Sequence, residues 1–137
     1  MELVECVRRS ELILMEGALG QRLKEEYDLE PHEWVMLADM IYRPAGRAAL
    51  EQIWGEDRAI AARYELPLLV TTPTRRANQA RVRKANCPDT IVRDNAAFLC
   101  GLREQWGGPV YVGGLMGCAV LLLLKRARVL DRMLEEL

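Results

Sequence analysis

Glu16 is the residue whose neighbours point most directly to chemistry. It ends the short apolar run Ile13-Leu14-Met15 and is followed at once by Gly17-Ala18-Leu19-Gly20. That order suits a buried strand delivering a carboxylate to its C-terminal end, with glycine letting the backbone turn and approach a ligand closely. A carboxylate so placed can hold a substrate ammonium through charge-assisted hydrogen bonds. The same acid would also serve as a solvated loop residue or half of a structural ion pair. Gly17 and Gly20 alone do not make a phosphate cradle, which needs a third glycine or a P-loop lysine, and they read as a turn.

The second constellation is Thr71-Thr72-Pro73-Thr74-Arg75-Arg76-Ala77-Asn78. Its hydroxyls and the Asn78 amide can hydrogen-bond a polar ligand. Thr74 is placed as an N-cap for a helix carrying Ala77, Ala80 and Val82. Arg75 and Arg76 would then oppose the positive end of that helix dipole, an arrangement a bound anion relieves. The bland alternative is two solvated arginines beside a capping threonine. Arg81, Arg83 and Lys84 extend the basic face without interleaved aromatic residues, which speaks against a nucleic-acid site.

A third segment, Gly113-Gly114-Leu115-Met116-Gly117-Cys118, places a thiol near glycines, but no adjacent base or cation would activate it. Cys6, Cys87, Cys100 and Cys118 are widely spaced and form no C-x-x-C pair, so metal-ligand spacing is absent. Reduced thiols are expected in a chain without a secretory signal. His32-Glu33 is not a metalloprotease motif, because position 36 is Met36 rather than a second histidine.

Strand and helix periodicities alternate along the chain and would position these residues. Leu12 to Met15 reads as the first strand, and a helix begins over Leu19 to Tyr27. Pro31 interrupts it, Trp34 to Tyr42 reads as a short helical piece, and Pro44 breaks that in turn. Ala48, Leu50, Ile53, Trp54, Ile60, Ala61 and Tyr64 then recur at near-helical spacing. Leu66 to Thr71 is the second strand. Pro88-Asp89 precedes a helix with Ile91, Val92, Asn95, Phe98, Leu99 and Leu102 inside and Asp89 or Thr90 as its cap. Gly107-Gly108 closes it, and Val110-Tyr111-Val112 is the third strand. Short apolar strands alternating with amphipathic helices predict an α/β fold with about three parallel strands and flanking helices: a barrel sector or a small open sheet. Val120, Leu123, Ala127, Leu130, Leu134 and Leu137 make a heptad-like stripe, so residues 119–137 are expected to form a C-terminal amphipathic helical tail. That tail either covers the sheet or forms a seam with another helix. Self-association through it or through an open sheet edge is expected.

With 137 residues, 50% apolar and 28% charged, the chain suits one folded domain. Its net charge of −1 implies no general attraction to nucleic acid or anionic membrane. The apolar run Ala119 to Leu124 is far shorter than the roughly 20 residues of a membrane span. Met1 to Ser10 mixes charged and apolar residues unlike a signal peptide, so a cytoplasmic location is expected.

The three strand ends, taken in order, resemble the homocysteine S-methyltransferase family. Glu16-Gly17-Ala18-Leu19-Gly20 is similar to the family's Asp/Glu-Gly-x-x-Gly start, and Glu16 matches its amino-group-holding acid. Thr71 to Asn78 is similar to its Thr-rich segment ending Ala-Asn, and Val112 to Gly117 to the Gly-containing end of its third strand. The resemblance covers residues 12–118. It implies the N-terminal portion of a (β/α)8 barrel over residues 1–118, with an amino acid such as homocysteine bound by Glu16, Gly17, Thr72 and Asn78. It also implies, for a full-length member, methyl transfer to the homocysteine thiol on a zinc held by three cysteines from later strands. Cys118 belongs to the third-strand turn and matches none of them, so the isolated chain is expected to be inactive, with no zinc of its own. The alternative is a non-catalytic module that binds a small anion through Arg75 and Arg76, or a partner protein.

Overall fold

The computed structural model describes residues 2–116. Its elements, in order, are α1 (Leu3–Arg9), β1 (Leu14–Met15), α2 (Leu19–Tyr27), a 3-10 turn (Ala38–Tyr42), α3 (Pro44–Arg63), β2 (Leu68–Thr71), α4 (Gln79–Lys84), α5 (Ile91–Trp106) and β3 (Val110–Gly113). The strands form one parallel sheet in the order β1-β2-β3. This is a mixed α/β architecture. The expected tail over 119–137, and Cys118, lie outside the described residues.

Strand register decides which side chains meet the helices. Leu14 pairs with Leu68 and Leu68 with Val110, while Val70 pairs with Val112. Successive strand residues point to opposite faces. This row therefore packs one face of the sheet against Leu50, Ile53, Trp54 and Ala61 of α3 and Phe98, Leu99 and Leu102 of α5. On the other face Met15 is 57% exposed, and Leu69 and Tyr111 are half-buried.

Several boundaries differ from the sequence expectation for physical reasons. The first strand is only Leu14–Met15, because Leu12 is 59% exposed and gains nothing from pairing there. Over Trp34–Tyr42 only Ala38–Tyr42 is helical, and His32 and Met36 instead exchange two backbone hydrogen bonds of 2.8 and 2.9 Å across a tight loop. Pro44 opens α3 as its first residue, where a missing N–H leaves no bond unmade and φ is preset for helix. Thr74 does not cap α4. Asn78 does, its side chain accepting the Arg81 N–H at 3.0 Å. The short helix α1 had no strong periodic signal; of its seven residues only Cys6 is buried, and an exposed Glu5–Arg9 pair spans one turn. Gly107 and Gly108, at φ of 64° and 76°, do close α5.

Gly46 shows how tightly the 3-10 turn sits on α3. A Cβ there would lie 2.7 Å from the Met40 carbonyl oxygen. Alanine in a helix is favoured over glycine by roughly 1 kcal/mol, but a backbone carbonyl cannot yield as a side-chain tip can, and overpacking costs about 1–3 kcal/mol. Gly46→Ala is therefore expected to lower the urea midpoint of unfolding; an unchanged or raised midpoint would show that the turn gives way.

Candidate functional site

The parallel register brings all three strand exits to one end of the sheet. Thr71 is paired with Gly113, and the Thr72 N–H donates to the Gly113 carbonyl at 2.9 Å. The Glu16 N–H donates to the Leu69 carbonyl at 3.3 Å, and its carboxylate reaches across to β2. Oε1 accepts from the Thr71 N–H at 3.0 Å and from the Thr71 hydroxyl, and Oε2 accepts from Trp54 Nε1 at 2.9 Å. Trp54 is fully buried in α3, and a buried indole N–H needs an acceptor. The strand-end acid supplies it.

Glu16 thus lines a cleft of about 250 Å³, together with Leu19, Gly20, Met36, Leu37, Thr71, Pro73, Arg75, Arg76 and Leu115. Clefts for drug-sized ligands run from roughly 300 Å³ upward, so this one suits a smaller metabolite. One carboxylate and two guanidinium groups share it with mostly apolar walls. The loop walls rest on a satellite core of Val35, Ala38, Ala77, Val82 and Ile91, which anchors the His32–Met36 loop and the turn carrying the arginines. Met36 enters the wall with φ of 57°, a conformation uncommon outside glycine and set here by the paired backbone bonds to His32.

The remaining sequence candidates are placed differently. Gly17 lies outside the cleft lining, and the left-handed turn after Glu16 is made by Ala18, at φ of 53°, rather than by a glycine. Thr72 and Thr74 are 2% and 0% exposed. Their hydroxyls share a 2.8 Å hydrogen bond; Thr72 Oγ accepts the Leu115 N–H at 3.1 Å, and Thr74 Oγ donates to the Leu115 carbonyl. These threonines therefore build the cleft by fixing Leu115 in its wall. Asn78 lies outside the lining too, capping α4. Because α4 starts only at Gln79, Arg75 and Arg76 precede it by a full turn and the dipole argument for them lapses.

Charged side chains of α2 and α3 form a connected group beside the site. Arg22 binds Glu26 through its Nε at 2.7 Å and also pairs with Glu56, tying the two helices together. Those bonds hold the Glu26 and Glu56 carboxyls below their ordinary values. Asp57 is the opposite case: burial pushes its carboxyl up, with Arg22 countering and Glu16 and Glu56 adding to the rise. Its Oδ2 is buried without a hydrogen-bond partner. Ionised Asp57 destabilises the fold above its raised value, whereas below the ordinary 3.8 both folded and unfolded states are protonated and the penalty vanishes. Asp57→Asn should therefore raise the urea midpoint at pH 7, with the gain fading as pH falls below 3.8. An equal gain at both ends of that range would count against buried charge as the cause.

Trp54, Leu19, Met36, Leu37 and Leu115 are the site residues that the sequence did not single out. Trp54 carried one legible signal, an indole in a buried stripe that required an acceptor; the others look like ordinary core positions. Comparison of the chain with protein-family models, with curated proteins and with solved structures finds no match in any of the three.

Proposed function

We propose that this chain is a sector of a homocysteine S-methyltransferase-like (β/α)8 barrel, with an amino-acid substrate held at its strand exits and Glu16 accepting the ammonium. The observation that carries the reading is the anchoring of Glu16. Its three bonds come from neutral donors, Thr71 N–H, Thr71 hydroxyl and Trp54 indole, so its negative charge is oriented but not neutralised. Oε2 accepts only from Trp54 among the described residues and keeps room for a further donor. An ammonium there makes a charge-assisted bond of about 1.5–3 kcal/mol. The half-covered face of the sheet, with Met15, Leu69 and Tyr111, corresponds in this reading to the barrel interior.

Leu19, Met36, Leu37 and Leu115 would pack along the substrate's methylene chain and exclude water from it. The zinc implied by the resemblance does not fit the residues described. Cys6 is buried at the opposite end of the sheet beside Tyr111, Cys87 follows α4 and Cys100 lies in α5, and no three His, Cys, Asp or Glu side chains converge among the described residues. The activity proposed for the chain itself is substrate binding. Among the described residues no helix is long and apolar enough to cross a membrane. Calorimetric titration of the full chain with homocysteine tests the reading: binding that weakens in Glu16→Gln supports it, and binding indifferent to that change removes it.

A further inference from the structure

We propose that Arg75 and Arg76 receive the carboxylate of the same ligand whose ammonium Glu16 holds, making the cleft selective for a small zwitterionic α-amino acid over a simple amine or a simple anion. The inference rests on the Glu16 reading and adds the second half of the recognition.

Three observations carry it. Glu16, Arg75 and Arg76 all line the one cleft, although they come from the exits of two different strands. No ion pair joins either arginine, both exposed, to Glu16 or to any other acid among the described residues. Opposite charges are thus present in one small space without cancelling each other. The backbone bearing the arginines is also fixed. Thr74 is fully buried and bonded to Thr72 and Leu115, the Ala77 N–H donates to the Thr74 carbonyl at 2.9 Å, and Ala77 is 7% exposed within the satellite core. The two side chains therefore project from a preset turn, which lowers the entropy lost on binding.

Charge balance selects the ligand class. A phosphate ester would be attracted by the guanidinium groups but repelled by the Glu16 carboxylate at the same small cleft. A simple amine would satisfy Glu16 and face two unneutralised cations. A zwitterion with an ammonium and a carboxylate gains at both ends, and a bidentate guanidinium–carboxylate pair adds directionality. The apolar stretch Leu19, Met36, Leu37 and Leu115 suits a short unbranched side chain.

The test titrates the full chain, under a non-thiol reductant, with homocysteine, 3-aminopropane-1-thiol (no carboxylate) and 4-sulfanylbutanoate (no ammonium). The wild-type chain should prefer homocysteine to both. The double variant Arg75→Ala/Arg76→Ala should lose about 10–100-fold in homocysteine affinity, as expected for charge-assisted hydrogen bonds, and bind the aminothiol no less tightly than the wild-type chain does. Arg75→Lys/Arg76→Lys should recover part of that loss, and urea midpoints confirm that both variants fold. If the alanine variant keeps the full preference for homocysteine over the aminothiol, the arginine assignment is overturned while Glu16 dependence leaves the amino-acid reading intact. Arginine-dependent binding of 4-sulfanylbutanoate without binding of homocysteine removes the Glu16 reading and overturns the zwitterion. Failure of all three ligands to bind the folded wild-type chain overturns both.

Discussion

Trp54→Ala is expected to destabilise the chain by about 3–5 kcal/mol, the range for emptying a large aromatic site in a packed core. Trp54 is fully buried in α3, its ring tilted 51° to that of Phe98 with centroids 6.1 Å apart, and it sits against the buried face of the sheet. A domain of this size has roughly 5–15 kcal/mol in total, so the loss is a large share of it. The variant also strips Glu16 of a donor. Trp54→Phe separates the two effects in part, because it keeps an aromatic ring beside Phe98 while removing the indole N–H and part of the fused ring. It should cost about 1–3 kcal/mol, one hydrogen bond plus a small cavity, and still weaken homocysteine binding by loosening the carboxylate. Chemical denaturation of the three proteins reads the first effect and calorimetry the second. A loss below about 1 kcal/mol in Trp54→Ala would mean that the core closes over the gap.

Glu16→Gln should lower homocysteine affinity by about 10–100-fold, the equivalent of one charge-assisted hydrogen bond, while the fold survives. The amide retains one acceptor oxygen, enough for Thr71, while its NH2 group cannot accept from the Trp54 indole N–H and turns toward the cleft, which leaves that one donor short of a partner. The charge that attracts an ammonium is gone. Glu16→Ala is the harsher variant, since it leaves the buried Trp54 Nε1 and the Thr71 N–H without their acceptor and should add about 1–3 kcal/mol of destabilisation for the groups stranded. Pairing the two variants keeps binding and folding apart: equal homocysteine affinity in Glu16→Gln and wild type would exclude the carboxylate from recognition whatever its structural value.

The strands and long helices were legible because their signals are local. The helix expected to begin at Leu19 does begin there, though it ends at Tyr27, ahead of the Pro31 break; Ile91 is the first residue of α5, and Gly107-Gly108 closes that helix as expected. The errors came where two local signals compete. Thr74 and Asn78 are both good N-caps, and the choice was made by burial: Thr74 is drawn inside to hold Leu115, leaving Asn78 to start α4. Gly17 is the permissive residue by type, yet the left-handed turn falls on Ala18, because β1 ends at Met15 and α2 begins at Leu19.

Glu16 and the Arg75-Arg76 pair both follow apolar strand segments in the sequence, so a parallel sheet has to carry them to the same end, and one cleft is lined by all three. What holds Glu16 in place was not legible. The partners of Glu16 lie 38 and 55 residues away, at Trp54 and Thr71, and no periodicity reports a bond across that separation. Hydrophobic alternation and turn chemistry are properties of neighbouring residues, so the chain by itself determined the three strands and the long helices, but not α1 or every boundary. Which donors meet at those ends, and whether a hydroxyl faces a ligand or a backbone, depends on strand register and on packing between distant segments. Those were decided only when the sheet closed on its helices.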